Sequence, residues 1–569
     1  MQIPTLKQGK VSRENVTSFG GYHAGARIAE GEFAAMKNCT GDQFPLIATR
    51  RKRGGYAAPQ KCNGLLAKDS LCWVDGSKFV MNGYETELHL TDSPKQLVSM
   101  GAYVIIFPDK KYINTADLSD SGNLEAEFTS AGTVKFTPVD GEGKPLIPAY
   151  TQPEEPEKPE NGALWLDTSG AGALLQWSAG TGMWVSVDNT LVRISCPNMG
   201  VSFRPGDGVQ LTGVPAGVET SGVIADCGRD YVTVSGLLER EASLDTPVTV
   251  GRYLPLMDMV LECGNRLWGC RYGLNRAGTV VNEIYASKLG DFRNWNCFQG
   301  VSTDSYCVSL GADGPFTGAV QHLGYPVFFR EDCIHRLYGS TPATFRLQTT
   351  PCPGVQQGCS QSLARVGQML YYKSPTGVCA YDGAVPVTVS QKLGTMPCIR
   401  ASAGALGDKY YICFQEEENT GQLWVYDTAR GLWHREDDTC VRCFCTCRDD
   451  LFFVNGAGQI ISVMGRGQPE EEISWMLETG MLGTLTPDSK TLTRLNLRLE
   501  LEQQAKVWVQ YDGDDFWTPV ATVYGSAGQC FNLPVAVRRC DRLRLRLAGT
   551  GFMRLSCITK TMERGSDVL

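Results

Sequence analysis

Five short runs dense in aromatic and β-branched residues recur through the second half of the chain, and their spacing limits the fold more than any other feature. They are Arg266–Tyr272, Tyr325–Arg330, Met369–Lys373, Lys409–Phe414 and Asp450–Asn455, each closed by a turn rich in Gly or Asp. This composition suits strands packed on both faces. After a longer first gap, the cores at Phe328, Tyr371, Tyr411 and Phe452 follow one another at a period of about 40 residues, the length of a propeller blade. A single large sandwich does not repeat at that interval. Residues 256–467 are therefore expected to form blades.

The same signature appears earlier. Gly64–Val74, the turn Asp75–Gly76 and Phe79–Gly83 predict a hairpin, and Leu97–Phe107, Pro108–Asp109 and Lys111–Ile113 predict another. The propeller is thus expected to begin near residue 61 and to be interrupted. The interruption holds a Pro/Glu linker, Thr151–Glu160, then three short strands with one tryptophan each, Trp165, Trp177 and Trp184. Short strands around Phe203–Leu211 and Tyr231–Val234 suggest a small barrel behind them. Past a second Pro/Glu hinge at Gly467, the runs Thr493–Leu501, Lys506–Tyr511 and Asp541–Leu547 alternate apolar and polar residues, the pattern of a sheet with one wet face.

The expected class is all-β: a six- or seven-bladed β-propeller with a β-rich insertion and a C-terminal antiparallel β-sandwich. The expected boundaries are 1–60 for an extended lead-in and closing strand, 61–113 for the first blades, 114–250 for the insertion, 251–467 for the remaining blades and 468–569 for the sandwich.

Several residue groups are candidates for contacts. Arg50, Arg51, Lys52 and Arg53 are four adjacent cations that suit phosphate or a partner surface, although a solvated strand end is the commoner use of such a run. Arg542, Arg544 and Arg546 line one face of an alternating strand, where phosphate contact competes with ordinary cross-strand pairing. Trp165, Trp177 and Trp184 could stack on a sugar ring, or simply form the core of a module too small for an aliphatic one. The net charge of -8 argues against a dedicated nucleic-acid binder.

Reactive chemistry leaves little trace. The five histidines have no metal-ligand spacing, and no nucleophile elbow or phosphate loop occurs. The 22 cysteines mostly sit inside apolar runs, where a thiol acts as a small buried hydrophobe. Cys440 and Cys443 have C-x2-C spacing, but no second pair follows. No metal, cofactor or enzymatic activity is expected. Turns such as Asp291–Trp295, Asp427–Trp433 and Asp512–Trp517 open with Asp and close with Trp, a structural device that resembles the Asp-box of sialidase-type propellers. No run approaches the ~18 apolar residues of a spanning helix, and the first residues lack a signal-peptide core.

The order of Asn282–Trp295, with its Ser-x-x-Gly-Asp and Trp, followed by Pro326–Gly339, with its Phe-x-Glu-Asp-x-Ile, resembles the packaged-DNA stabilisation (tail hub) and nozzle proteins of short-tailed phages. The resemblance covers about residues 256–467. It implies a structural virion component, assembled in the host cytoplasm and resident in the tail. The implied partners are copies of itself in a ring, a hexamer by the resemblance, other tail or connector proteins, and DNA passing through without sequence-specific binding. The alternative reading is a host-surface carbohydrate-binding or sialidase-like propeller.

Overall fold

The computed structural model describes residues 11–169, 173–187, 190–311, 314–483, 490–512, 514–536 and 538–564. The fold is all-β and of the propeller class, built from many small antiparallel sheets. Each of the five aromatic runs forms the second strand of a four- or five-stranded sheet, at Leu267–Leu274, Tyr325–Phe329, Met369–Ser374, Lys409–Gln415 and Asp450–Asn455. An inner strand of a stacked sheet has side chains packed on both faces, which explains why these runs are apolar without alternation. By chain proximity the molecule divides into two compact units. One holds residues up to Lys95, 328–334 and Thr349 onward; the other holds 96–327 and 335–348.

In the first unit, Cys62–Ala67, Leu71–Asp75, Lys78–Met81 and Tyr84–His89 form one up-and-down sheet. Asp75 pairs with Lys78 across a two-residue turn, in which Gly76 takes a φ of 57° that glycine tolerates best. Sheets over Ala364–Thr388 and Arg400–Arg435 follow the same plan. The last sheet, Val441–Cys447, Asp450–Asn455 and Ile460–Ser462, is completed by Gly54–Ala57 from the other end of the sequence. That sheet packs on the first through Trp73, Val80, Cys447, Phe452 and Val454.

The rest of the first unit is a ten-stranded sheet drawn from both ends of the sequence. Val11–Val16 and Ile47–Thr49 pair with Met553–Arg564, and Phe33–Lys37 pairs with Ser474–Thr479. The long strand Lys490–Tyr511 passes from one neighbour to another: its first part pairs with Met553–Arg564, its last part with Leu543–Thr550. The alternating leucines Leu495, Leu497, Leu499, Leu543, Leu545 and Leu547 are fully buried in its core, beside Phe19, Phe33 and Trp475. Burying each such side chain favours folding by about 2 kcal/mol, so this core anchors the N-terminal arm.

In the second unit, blade-type sheets span Gln96–Asn123 and Met259–Ser309. Between them lie two sheets that enclose a core of Val134, Phe136, Val192, Ile194, Val232 and Val250. An excursion from that barrel-like body carries the tryptophan strands, Leu164–Asp167, Ala173–Ser178 and Met183–Ser186. Among the described residues no helix is long and apolar enough to cross a membrane.

Candidate functional site

The four-cation run splits by burial. Arg51 and Lys52 are exposed, whereas Arg50 and Arg53 are buried in a network of carboxylates. Arg50 grips Glu470 with both terminal nitrogens, Nη1 to Oε2 at 2.8 Å and Nη2 to Oε1 at 2.9 Å, and its Nε donates to Asn38 at 2.8 Å. Arg53 Nη1 donates to Asp437 Oδ2 at 2.9 Å and its Nη2 to Glu436. Burial works against ionised Asp437, but Arg53 and Arg50 outweigh it and hold the carboxyl below its ordinary value. Glu470 is likewise held down, with the hydrogen bonds from Arg50 outweighing burial. The guanidinium groups of Arg50 and Arg53 therefore tie the arm to the propeller, and of the run Arg51 and Lys52 remain open to a phosphate.

This network forms one wall of a cavity of about 530 Å³ that is also lined by Asp42, Lys409, Tyr411, His434 and Arg448. Asp42 pairs with Lys409. His434 is buried, its Nε2 has no partner, and burial, with Lys409 nearby, pushes its pKa down to about 4. The ring is thus neutral near pH 7. Sequence reasoning passed over this cavity because its walls come from segments some 400 residues apart, and the lone His434 carried no motif.

The other candidate groups are structural in their placement. Arg544 and Arg546 both pair with Glu478, at 3.3 and 2.9 Å, and Arg546 lies 4.2 Å from the ring centroid of Trp517. Arg542 is exposed. Trp165 packs edge-on against Trp184, and Trp184 against Trp177, with centroids 5.3 Å apart in both pairs. Trp165 is buried and donates Nε1–H to the Gln152 carbonyl at 2.8 Å, while Trp177 and Trp184 are half-buried. In the Asp–Trp turns, Asp291 accepts from Arg293 N and Asn294 Nδ2, and buried Trp295 donates to the Phe292 carbonyl. Asp427 accepts from Arg430 N, and buried Trp433 reaches the Val389 carbonyl. Gly513, in the third such turn, lies outside the described residues, as do the first ten residues of the lead-in. Cys443 and Cys445 lie in the apolar contact between the last and first sheets, and burial pushes the Cys445 thiol up to about 12. Among the described residues no three His, Cys, Asp or Glu side chains gather around a metal-sized site.

A second cavity, of about 540 Å³, lies within the other unit, lined by Tyr253, Asn275, Arg276, Glu283, Tyr285 and Phe298 among others. Phe298 is 61% exposed. The Tyr253 ring is sandwiched against Arg276, whose guanidinium carbon lies 4.3 Å from the ring centroid, and the Tyr253 hydroxyl donates to Glu127 at 2.7 Å. Burial and that hydrogen bond push the Tyr253 pKa up to about 12. Tyr285 donates to Glu283 Oε2 at 2.6 Å and Ser309 to Glu283 Oε1 at 3.2 Å. Open aromatic rings beside amide and carboxylate groups can receive a ligand with one apolar face and several hydroxyls.

No protein-family profile matches the chain, and no curated protein does. Solved structures similar to it include apo AztD from Citrobacter koseri, at 11% identity over 80% of this chain and 97% of that one, with a TM-score of 0.28. They also include a glycoside hydrolase family 43 arabinoxylan arabinofuranohydrolase from Bacillus subtilis, at 9% identity over 55% of this chain and 96% of that one, TM-score 0.20. A third is the Trypanosoma rangeli sialidase, at 7% identity over 90% and 96%, TM-score 0.19. None of these three is a phage tail protein, and likenesses this distant assign no activity to this chain. The expectation that the chain is no enzyme is corrected nonetheless: it stood on missing motifs alone, and glycosidases are among the similar structures. The physical reason is that glycoside hydrolysis needs only two placed carboxylates, which leave no sequence motif, so missing motifs exclude nothing.

Proposed function

We propose that this chain is a structural component of a tailed-phage virion, a propeller building block that assembles with copies of itself into a ring in the tail. The reading rests on the resemblance carried by Asn282–Trp295 and Pro326–Gly339, and one observation of geometry carries it further. Leu274 and Val280 face each other at the end of a blade hairpin and are 55% and 71% exposed. In the proposed ring a neighbouring copy covers these two side chains. A net charge of -8 suits a passage through which DNA slides without adhering. Native mass spectrometry tests the reading: a discrete oligomer is expected, and Leu274→Lys with Val280→Glu should dissociate it. A wild-type protein that stays monomeric at its solubility limit refutes it.

A second reading, a carbohydrate-binding or sialidase-like propeller, is favoured by the cavity of Tyr253, Asn275, Glu283 and Phe298. A sugar ring would stack on Phe298 while its hydroxyls met the amide and carboxylate groups. A glycan array, followed by incubation with aryl glycosides, separates binding from hydrolysis. Phe298→Ala should abolish any signal that arises from this cavity.

A further inference from the structure

Lys373 follows the buried residues Leu370, Tyr371 and Tyr372 in an inner strand, and it is itself only 3% exposed. A buried charge is normally paired with an opposite one, because holding it among neutral groups costs stability. Here Lys373 Nζ donates to Gln356 Oε1 at 2.6 Å and to the Ser374 carbonyl at 2.7 Å, both neutral oxygens. Among the described residues no carboxylate lies within ion-pair distance of it. An ammonium has three N–H donors and no acceptor, so one donor is left over.

The lysine is held in place from two sides. Gln356 Nε2 donates to the Cys398 carbonyl at 2.8 Å, which turns its Oε1 toward the ammonium, and Lys373 N donates to Ser362 Oγ at 2.9 Å. Lys373 lines a cavity of about 290 Å³ together with Thr376, Ser390, Thr395, Met396 and Phe414, and no Asp or Glu lines it. Ser390 Oγ accepts from Val378 N at 2.9 Å, which leaves its O–H as a further donor. Past Gly394, at a φ of 70°, the N–H groups of Thr395 and Met396 have no hydrogen-bond partner among the described residues. The cavity therefore combines one positive charge and several donors with an apolar wall of Phe414 and Met396.

We propose that this cavity binds a small organic monocarboxylate, whose carboxylate supplies the counter-charge that Lys373 lacks. One ammonium balances one negative charge, so a monoanion suits the site and a phosphate dianion does not. A carboxylate accepts hydrogen bonds at both oxygens, which matches the free donor of Lys373, the Ser390 hydroxyl and the N–H groups of Thr395 and Met396. Its apolar body lies against Phe414 and Met396. The volume, at the small end for ligand cavities, limits that body to a short chain or a single ring. The ligand also gives the lysine a reason to be there: a methionine would fill much the same space without the cost of burying a charge.

The test is calorimetric titration of the full chain with sodium butyrate, using butyramide as the uncharged match in shape. Butyrate is expected to bind with a Kd of about 1 mM or tighter. Butyramide should bind at least about tenfold more weakly, because hydrogen bonds to a charged group are the stronger kind. Lys373→Met should weaken butyrate binding by at least about tenfold while keeping or raising the thermal midpoint, which a purely structural lysine would not allow. Met396→Glu brings a carboxylate to the cavity from within the chain and should block butyrate; it decides the matter if Lys373→Met does not fold. Circular dichroism checks the fold of each variant. The proposal fails if butyrate does not bind the wild-type chain, if butyramide or inorganic phosphate binds as tightly, or if either folded variant keeps full affinity.

Discussion

The burial of Arg53 makes its replacement a sharp test of what the cationic run does. Arg53→Met keeps the stem that packs near Phe453, whose ring centroid lies 5.4 Å from the guanidinium carbon, and removes only the charge. Among the described residues Glu436 and Asp437, whose side chains are 7% and 14% exposed, then have Arg50 as their one cationic partner, 3.9 Å from the first and 3.3 Å from the second. Arg50 is already shared with Glu470. Removing one partner of a buried pair typically destabilises by about 3–5 kcal/mol, and the part-exposed Glu470 places this case near the lower end. A loss of about 3 kcal/mol raises the locally opened population roughly a hundredfold. Thermolysin cleavage under native conditions reads this directly, and it suits a chain of several cores that will not unfold in one step. The double variant Arg53→Met, Glu436→Gln should recover part of the loss, because the pair is coupled. The penalty should also depend on pH. Asp437 and Glu470 have depressed folded pKa values, so their contribution is present above the ordinary carboxylate range and is lost as pH falls through and below it. If Arg53→Met is cleaved at the wild-type rate while its affinity for polyphosphate drops, the ion-pair account is refuted and the phosphate role stands.

His434 should make the protein acid-sensitive in a different window. Its folded pKa of about 4 lies below the ordinary 6.5, so the unfolded chain takes up the proton first and stability falls as pH drops from 6.5 to 4, by about 3 kcal/mol in all; a flat native-state proteolysis profile over that range contradicts this. Trp184→Ala removes the middle ring of the tryptophan chain, and limited proteolysis should show cleavage confined to 150–187, with a local loss of about 3 kcal/mol. Arg546→Met breaks a part-exposed pair to Glu478 and should shift the thermal midpoint by no more than an effect of about 1 kcal/mol allows; a larger drop would mean the pair is more sheltered than its geometry indicates.

What could be read from the sequence depended on whether a residue's surroundings were local. Tyr371, Tyr411 and Phe452 announce their sheets because an inner strand must be apolar on both faces, and its partners lie in the adjoining hairpins. The tryptophan strands are legible for the same reason, since Trp177 pairs with Trp184 across one turn. The N-terminal arm is different. Cys39–Thr40 and Ile47–Thr49 are too short to show a period, and their sheet is made by strands near the C-terminus, where Ala48 lies opposite Arg554. The run from Arg50 to Arg53 reads as four equal cations, yet the structure sorts them by carboxylates nearly 400 residues away. Residue type gives a guanidinium its charge, but only the fold decides whether that charge is balanced inside or left for a partner. The cavity around His434 is hidden for the same reason: it is made by chain crossings and leaves no spacing to read.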